Sequence, residues 1–322
     1  MSRILVPLDG SEFSEQALPY AFGIARRSGA EIHLVRVHTP PQVDWLAGGF
    51  APMPLSVDAG FRDEDHAYLE RMAEYTAMHV ERPARVALLN GAVAPALDAY
   101  VRTHGIDLVI MTTHGRTGLS RAWIGSVADA LVRSVEVPVL LLRPRSTAGW
   151  TPAAIEHIVI PIDESDYSME ILGPALDLGR LTGARYTLLQ IISPPLSLPA
   201  ADAVALPIQF ARAVELRVEA GERVEDLARR LRAQGHDVDT SIVIHGHVAH
   251  GILEQAVGLK ADLIAMSTHG RRGIARFALG SVADKVVRGT SVPILLWKPP
   301  TPRTDHGNRA DEQTADSLSC AL

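Results

Sequence analysis

Cysteine is nearly missing from this chain of 322 residues: it has one, Cys320. That excludes an intramolecular disulfide and any metal site built from cysteines, and it suits a reducing compartment. Aromatic residues are scarce at 5%, so stacking platforms for nucleic-acid bases are not available. The net charge of −6 comes without a basic stripe, which argues against nucleic acid as a partner. No apolar run approaches the roughly 18 residues that a membrane span requires. The opening Met1-Ser-Arg-Ile-Leu-Val-Pro7 runs straight into a strand without the apolar stretch of a signal segment. The expectation is a cytoplasmic protein with neither membrane nor nucleic-acid partners. Several motifs are absent too. There is no Walker A sequence with its phosphate-binding lysine, no Gly-x-Ser-x-Gly elbow, and no glycine fingerprint after the first strand.

What is present is a repeat. Residues 107–144 and 262–299 align without a gap at an offset of 155, with 21 identities in 38 positions. Both copies carry an apolar strand, His-Gly-Arg, a Gly-Ser that opens a helix, then Val-Pro and a last strand. A hydrophobic content of 47% with 21% charged residues is that of a globular chain, long enough here for two domains with their own cores.

Short apolar runs predict strands at 4–8, 32–37, 86–89, 108–112 and 139–142, and again at 158–162, 187–192, 242–244, 263–267 and 294–297. Helical segments fall between them, at 14–28, 62–79, 94–103 and 126–134, with counterparts at 168–182, 211–233, 249–258 and 281–289. Gly29 and Gly183 end the first helix of each half. Strict alternation of strand and helix predicts an α/β fold: two tandem, Rossmann-like, doubly wound domains of five parallel strands in the order 3-2-1-4-5. The boundaries read from the breakers are 1–145, a linker at 146–154, a second domain at 155–299, and a polar tail at 300–322 expected to be disordered. The halves differ most at 40–60 and 194–208, proline-containing stretches that read either as lids or as plain surface loops.

The chemistry concentrates in the loop after the fourth strand. Met111 and Thr112 end that strand, Gly115, Arg116 and Gly118 turn, and Gly125 and Ser126 start a helix; the second half offers Met266, Ser267, Gly270, Arg271, Gly273, Gly280 and Ser281. A helix start presents unpaired N–H groups and the positive end of a dipole, which favour an anion such as phosphate. The plainer reading is that the glycines only turn the chain and the serines only cap helices. The first strand of each half ends in Pro7-Leu-Asp9 and Pro161-Ile-Asp163. Each aspartate suits a ribose or base as acceptor, or a metal as outer ligand, and equally suits a turn at a helix start. In a 3-2-1-4-5 sheet the first and fourth strands flank the topological switch point, so aspartate and glycine loop would face one cleft.

His114 and His269 have no evident sequence partner and are read as shaping the loop. His245, His247 and His250 resemble a metal cluster. Their first-half counterparts are Asn90, Ala92 and Pro95, so they are taken as solvated, and no metal ligand or catalytic residue is assigned. Glu164 stands where the first half has Gly10; an added negative charge at the cleft mouth favours the first half as the tighter site.

With these motifs the chain resembles the universal stress protein family in its tandem form, over both halves to about Pro299. Nucleotide-binding members carry Gly-x2-Gly-x9-Gly-Ser/Thr after the fourth strand. Here the pattern reads Thr112-x2-Gly115-x9-Gly125-Ser126 and Ser267-x2-Gly270-x9-Gly280-Ser281, with a hydroxyl residue at the first glycine. The resemblance implies that Asp9 and Asp163 line a nucleoside pocket and that Val37 and Ile191 lie beside the adenine. It implies a phosphate-binding stretch of Gly115, Gly125, Ser126 and Val127, matched by Gly270, Gly280, Ser281 and Val282. The implied cofactor is ATP, with Mg2+ as the ion a triphosphate brings. Family members also pair through their fifth strands, so the two domains are expected to form an intramolecular pseudo-dimer, with room for a further homodimer. The expected role is an ATP-binding stress sensor or regulator without catalytic machinery. The alternatives are a dimerisation or chaperone-like module with empty clefts, and a nucleotide hydrolase of the related group that needs Ser-Gly-Gly-x-Asp-Ser, which Asp9-Gly-Ser11 is not.

Overall fold

The structure, a computed structural model, describes residues 1–39, 55–113, 124–144, 154–193, 205–268 and 279–298. The first half runs β1 (Arg3–Pro7), α1 (Glu12–Glu15), α2 (Leu18–Ser28), β2 (Glu31–His38), α3 (Leu55–Ala77), β3 (Arg85–Asn90), α4 (Val93–His104), β4 (Leu108–Thr112), α5 (Ser126–Ser134) and β5 (Val139–Leu142). The second repeats this as β6 (His157–Pro161), α6 (Asp166–Met169), α7 (Leu172–Thr182), β7 (Arg185–Ile192), α8 (Ala205–Ala233), β8 (Val238–Ile244), α9 (Val248–Gly258), β9 (Leu263–Ser267), α10 (Ser281–Gly289) and β10 (Ile294–Trp297). The expected linker at 146–154 and the tail lie outside the described residues, apart from Ala154.

The ten strands of the described residues form one sheet, ordered β3-β2-β1-β4-β5-β10-β9-β6-β7-β8. Every pairing within a half is parallel, in the expected order 3-2-1-4-5. The fifth strands join the halves in antiparallel register, Leu141 opposite Ile294, Leu140 opposite Leu295 and Val139 opposite Leu296. The antiparallel seam has a geometric consequence: the carboxyl ends of the two parallel sets point to opposite edges of the sheet.

Strands buried on both faces explain the near-continuous apolar runs. On one face, α2 and α3 bury Leu18, Phe22, Ile24 and Leu69 against Ile4, Ile32 and Ile110, and the same core continues through Leu140 and Leu295 to Ile158 and Leu188. On the other, α4, α5, α9 and α10 bury Leu97, Leu131, Ile252 and Val286 against Leu5, Val109, Leu141, Ile264 and Ile294. Both layers therefore cross the seam. Two cations lock it reciprocally. Lys298 Nζ donates to the Arg133 carbonyl at the end of α5, and Arg143 Nη1 donates to the Thr290 carbonyl just past α10, at 3.2 Å. Positive charge at a helix end, where carbonyls lack partners, is favourable on both counts.

The first helix of each half is not continuous as expected but breaks into α1 and α2, and into α6 and α7. Pro19 cannot donate to the carbonyl of Glu15, and its ring crowds that oxygen; Pro174 does the same to Glu170. Helices α3 and α8 begin at Leu55 and Ala205, earlier than expected, so part of each variable stretch is helical; 40–54 and 194–204 lie outside the described residues.

One packing exchange distinguishes the halves. Ala25 and Ile32 of the first half correspond to Gly179 and Tyr186 of the second. A Cβ added at Gly179 would sit 2.2 Å from the Tyr186 hydroxyl oxygen and 2.5 Å from its ring. That ring is buried, and its hydroxyl donates to the Leu176 carbonyl at 3.1 Å. Gly179→Ala is expected to lower unfolding stability by about 1–3 kcal/mol in urea denaturation through overpacking. Adding Tyr186→Ile, which recreates the first-half pair, should recover most of the loss. A neutral single substitution would contradict this packing.

Candidate functional site

The crossovers set where a site can form. Helices α2 and α3 cover one face and α4 and α5 the other, so the winding reverses between β1 and β4, which are hydrogen-bonded neighbours through Ile4–Leu108 and Leu5–Val109. In the second half β6 and β9 flank the same reversal. The carboxyl ends of these neighbours are where an open α/β sheet leaves a crevice.

At the end of β1 the Asp9 carboxylate does the work of a turn. Its Oδ1 accepts from the Ser11 amide at 2.9 Å and from the Ser11 hydroxyl at 2.6 Å, while the Asp9 amide donates to Ser14 Oγ at 3.3 Å. Ser11 is the N-cap of α1, its Oγ accepting from the Ser14 amide at 3.2 Å. The second half repeats this with Asp163, Ser165 and Ser168, at 3.1, 2.5 and 3.2 Å for the equivalent three bonds to and from Asp163. The Asp-x-Ser-x2-Ser spacing carried that signal in both halves. Pro7 and Pro161 close the strands just before.

At the end of β4, Thr113 donates its amide to Leu142, and the Gly125 amide returns to the Thr113 carbonyl at 2.7 Å; Gly280 and Thr268 do likewise at 2.8 Å. These bonds pin the start of α5 and of α10 to the strand end. Gly125 and Gly280 are the N-caps, with ψ near 150°, and as glycines they offer no capping side chain to the first amides of either helix. Ser126 and Ser281 therefore stand at the first helical position and do not cap. On the α4/α5 face Met111 is buried in the core, and the partly buried Val37 and Val127 pack against that core; Met266, Ile191 and Val282 do the same in the second half. Thr112 and Ser267, at the first motif position, are both buried, and among the described residues Ser267 Oγ has no hydrogen-bond partner. Gly115, Arg116, Gly118, Gly270, Arg271 and Gly273, with His114 and His269, lie outside the described residues.

The universal stress protein family model matches residues 1–143 and again 154–298. The chain belongs to the universal stress protein family. A universal stress protein of Methanocaldococcus jannaschii is 32% identical over 147 residues, 45% of this chain and 83% of that protein. One from Mycobacterium tuberculosis is 27% identical over 320 residues, covering 92% of this chain and 95% of its own length. The crystal structure of a universal stress protein from Archaeoglobus fulgidus matches with a TM-score of 0.67 at 18% identity, covering 92% of this chain and 98% of that one. These relatives establish the tandem family fold. Among the described residues no helix is long and apolar enough to cross a membrane.

Two differences between the halves of this universal stress protein bear on the clefts. Glu164, in place of Gly10, holds φ at +64°, where Gly10 has +85°. Its carboxylate is met by Arg223 of α8, Nε to Oε2 at 2.5 Å. The charge expected to weaken the second site is thus matched by a cation. In the first half β2 ends in the buried His38, whose Nδ1 lies 2.7 Å from Asp65 Oδ2 and whose Nε2 lies 3.0 Å from Asp58 Oδ1. Arg36 pairs with the other oxygen of Asp65 at 2.6 Å. This network fastens α3 beside Val37; the corresponding strand positions in β7 are Gln190 and Ile192.

The hydrogen bond to Asp65, joined by that to Asp58, outweighs burial and raises the His38 pKa above its ordinary value. A raised folded pKa contributes stability that is complete below about pH 6.5, the unfolded value, and is lost as pH rises through the folded pKa. Unfolding midpoints should therefore fall across that interval in the native chain, and His38→Gln should remove that component. An unchanged slope in the variant would place the titration elsewhere.

Proposed function

We propose that this universal stress protein binds ATP at the carboxyl edge of each half and acts as a sensor or regulator of the stress response. The observation that carries the reading is the helix start at each switch point. Glycine N-caps offer no side chain to the first amides of α5 and α10, and an aspartate follows the end of the neighbouring strand. The residues fit the group. Ser126, Val127, Ser281 and Val282 supply amides and two hydroxyls for phosphates. The apolar walls of Val37 with Met111 and Ile191 with Met266 suit a base. Asp9 and Asp163 would serve ribose hydroxyls, or Mg2+ through water. Bound Mg2+ would offset phosphate charge.

A binder, and not an efficient enzyme, is favoured by what the site offers. Phosphates would be held by backbone amides, and the sequence has no Walker A lysine to stabilise charge on a transferred phosphoryl group. A cytoplasmic location and an intramolecular pairing of two sites complete the proposal. The domain limits we propose are 1–145 and 155–299. The alternative, a nucleotide-independent dimerisation module, draws on Thr112 and Ser267 replacing the first motif glycine, where a side chain narrows the space for phosphate.

Isothermal titration with ATP decides between them. Gly125→Leu together with Gly280→Leu should abolish binding while circular dichroism stays native. Asp9→Ala and Asp163→Ala, titrated separately, should each weaken one site. ATP binding by the double glycine variant at native affinity would overturn the site, and no binding by the native chain would favour the empty module.

A further inference from the structure

The fold brings together three metal-binding side chains at the end of β8, outside the groups assigned to nucleotide. His245 directly follows the strand, and His250 and Glu254 lie one turn apart on α9. The His250 Nε2 is 3.1 Å from Glu254 Oε1, and His245 Nε2 is 3.5 Å from Glu254 Oε2. One donor atom from each of the three residues lies within 4.8 Å of the other two. The histidine spacing alone pointed to His247. The structure instead uses the backbone of His247 and adds Glu254, on the same helical face as His250.

We propose that His245, His250 and Glu254 form a binding site for a divalent transition-metal ion, Zn2+ in the first instance. Three physical arguments support it. Donor atoms bound tetrahedrally at about 2.0–2.1 Å lie roughly 3.3 Å apart, and each imidazole is already near that distance from one oxygen of the Glu254 carboxylate, His250 from Oε1 and His245 from Oε2. Two imidazoles and one carboxylate select Zn2+, Co2+ or Ni2+ over the oxygen-seeking Mg2+ and Ca2+. The carboxylate also compensates part of the ion's charge, and three protein ligands leave one position for water.

The surroundings orient the first ligand. His245 Nδ1 lies 2.8 Å from the His247 carbonyl oxygen and 3.0 Å from the His247 amide nitrogen. The two contacts belong to different tautomers. An ion on Nε2 requires the proton on Nδ1, where the carbonyl accepts it, the usual support of a metal-binding histidine. The ring also rests against Gly251: a Cβ there would approach His245 Cβ and Cγ to 3.1 Å and Ile191 Cδ1 to 3.2 Å. Gly251 thus lets the imidazole lie between α9 and the wall of the second cleft. The first half has Asn90, Pro95, Ala96 and Ala99 at the four equivalent positions, so the site belongs to the second half alone.

The test uses the full-length, untagged chain stripped with chelator, titrated with Zn2+ by calorimetry and with Co2+ by visible absorption. One ion per chain is expected, with a d–d band on Co2+ addition. His250→Ala and Glu254→Gln, both at exposed positions of α9 and both checked by circular dichroism, should each weaken binding by about tenfold or more. Asn90→Ala, the equivalent position of the first half, should leave it unchanged. No ion bound at one per chain, or binding indifferent to both α9 substitutions, would overturn the proposal. Because no nucleotide enters the titration, its outcome is independent of whether the clefts hold ATP.

Discussion

The rest of the structure depends on the pairing of β5 with β10. Each half ends in a four-residue apolar strand that, alone, would present an unpaired edge able to recruit another chain. Joined antiparallel, the two edges vanish into the middle of a ten-stranded sheet, and the apolar layers on both faces run through the join. Reciprocal donation from Lys298 to the end of α5 and from Arg143 to the end of α10 ties the helices to the same seam. The helices that open the candidate sites are therefore held at their far ends by the opposite half.

That arrangement fixes the relation between the two clefts. They lie at opposite edges of one sheet and cannot share a ligand. Contact between the halves runs through the seam and, on one face, through α2 and α7, where Arg27 Nη1 donates to the Thr182 carbonyl at 3.3 Å. The halves are also not copies in detail. The first fastens α3 with His38, Asp58, Asp65 and Arg36; the second has a strained Glu164 paired with Arg223 and carries the His245–His250–Glu254 group alone.

Much of this was legible in the sequence because strict alternation of buried strand and amphipathic helix leaves few topologies open, and the repeat fixed the order twice. The turn chemistry at Asp9 and Asp163 was half legible: a turn at a helix start was one of the roles open to the aspartates, while the serines that hold them needed the geometry. Ser126 and Ser281 read as caps, yet the glycines before them take that position. The breaks at Pro19 and Pro174 follow from a ring meeting a carbonyl four residues back and outweighed an otherwise helical pattern. The proposed grouping of His245 and His250 was not legible because comparison with Asn90, Ala92 and Pro95 treats the halves as equivalent. Glu254, nine residues beyond His245, joins it only when β8 hands over to α9.

The central claim, that phosphate is held by the amides opening α5 and α10, is tested most directly by hydrogen–deuterium exchange with and without ATP and Mg2+. The expected result is slowed exchange at the amides of Ser126, Val127 and Ala128, at Ser281, Val282 and Ala283, and at the turns following Asp9 and Asp163. Saturating ATP that leaves all of these amides exchanging as before, with protection only elsewhere or nowhere, would contradict it.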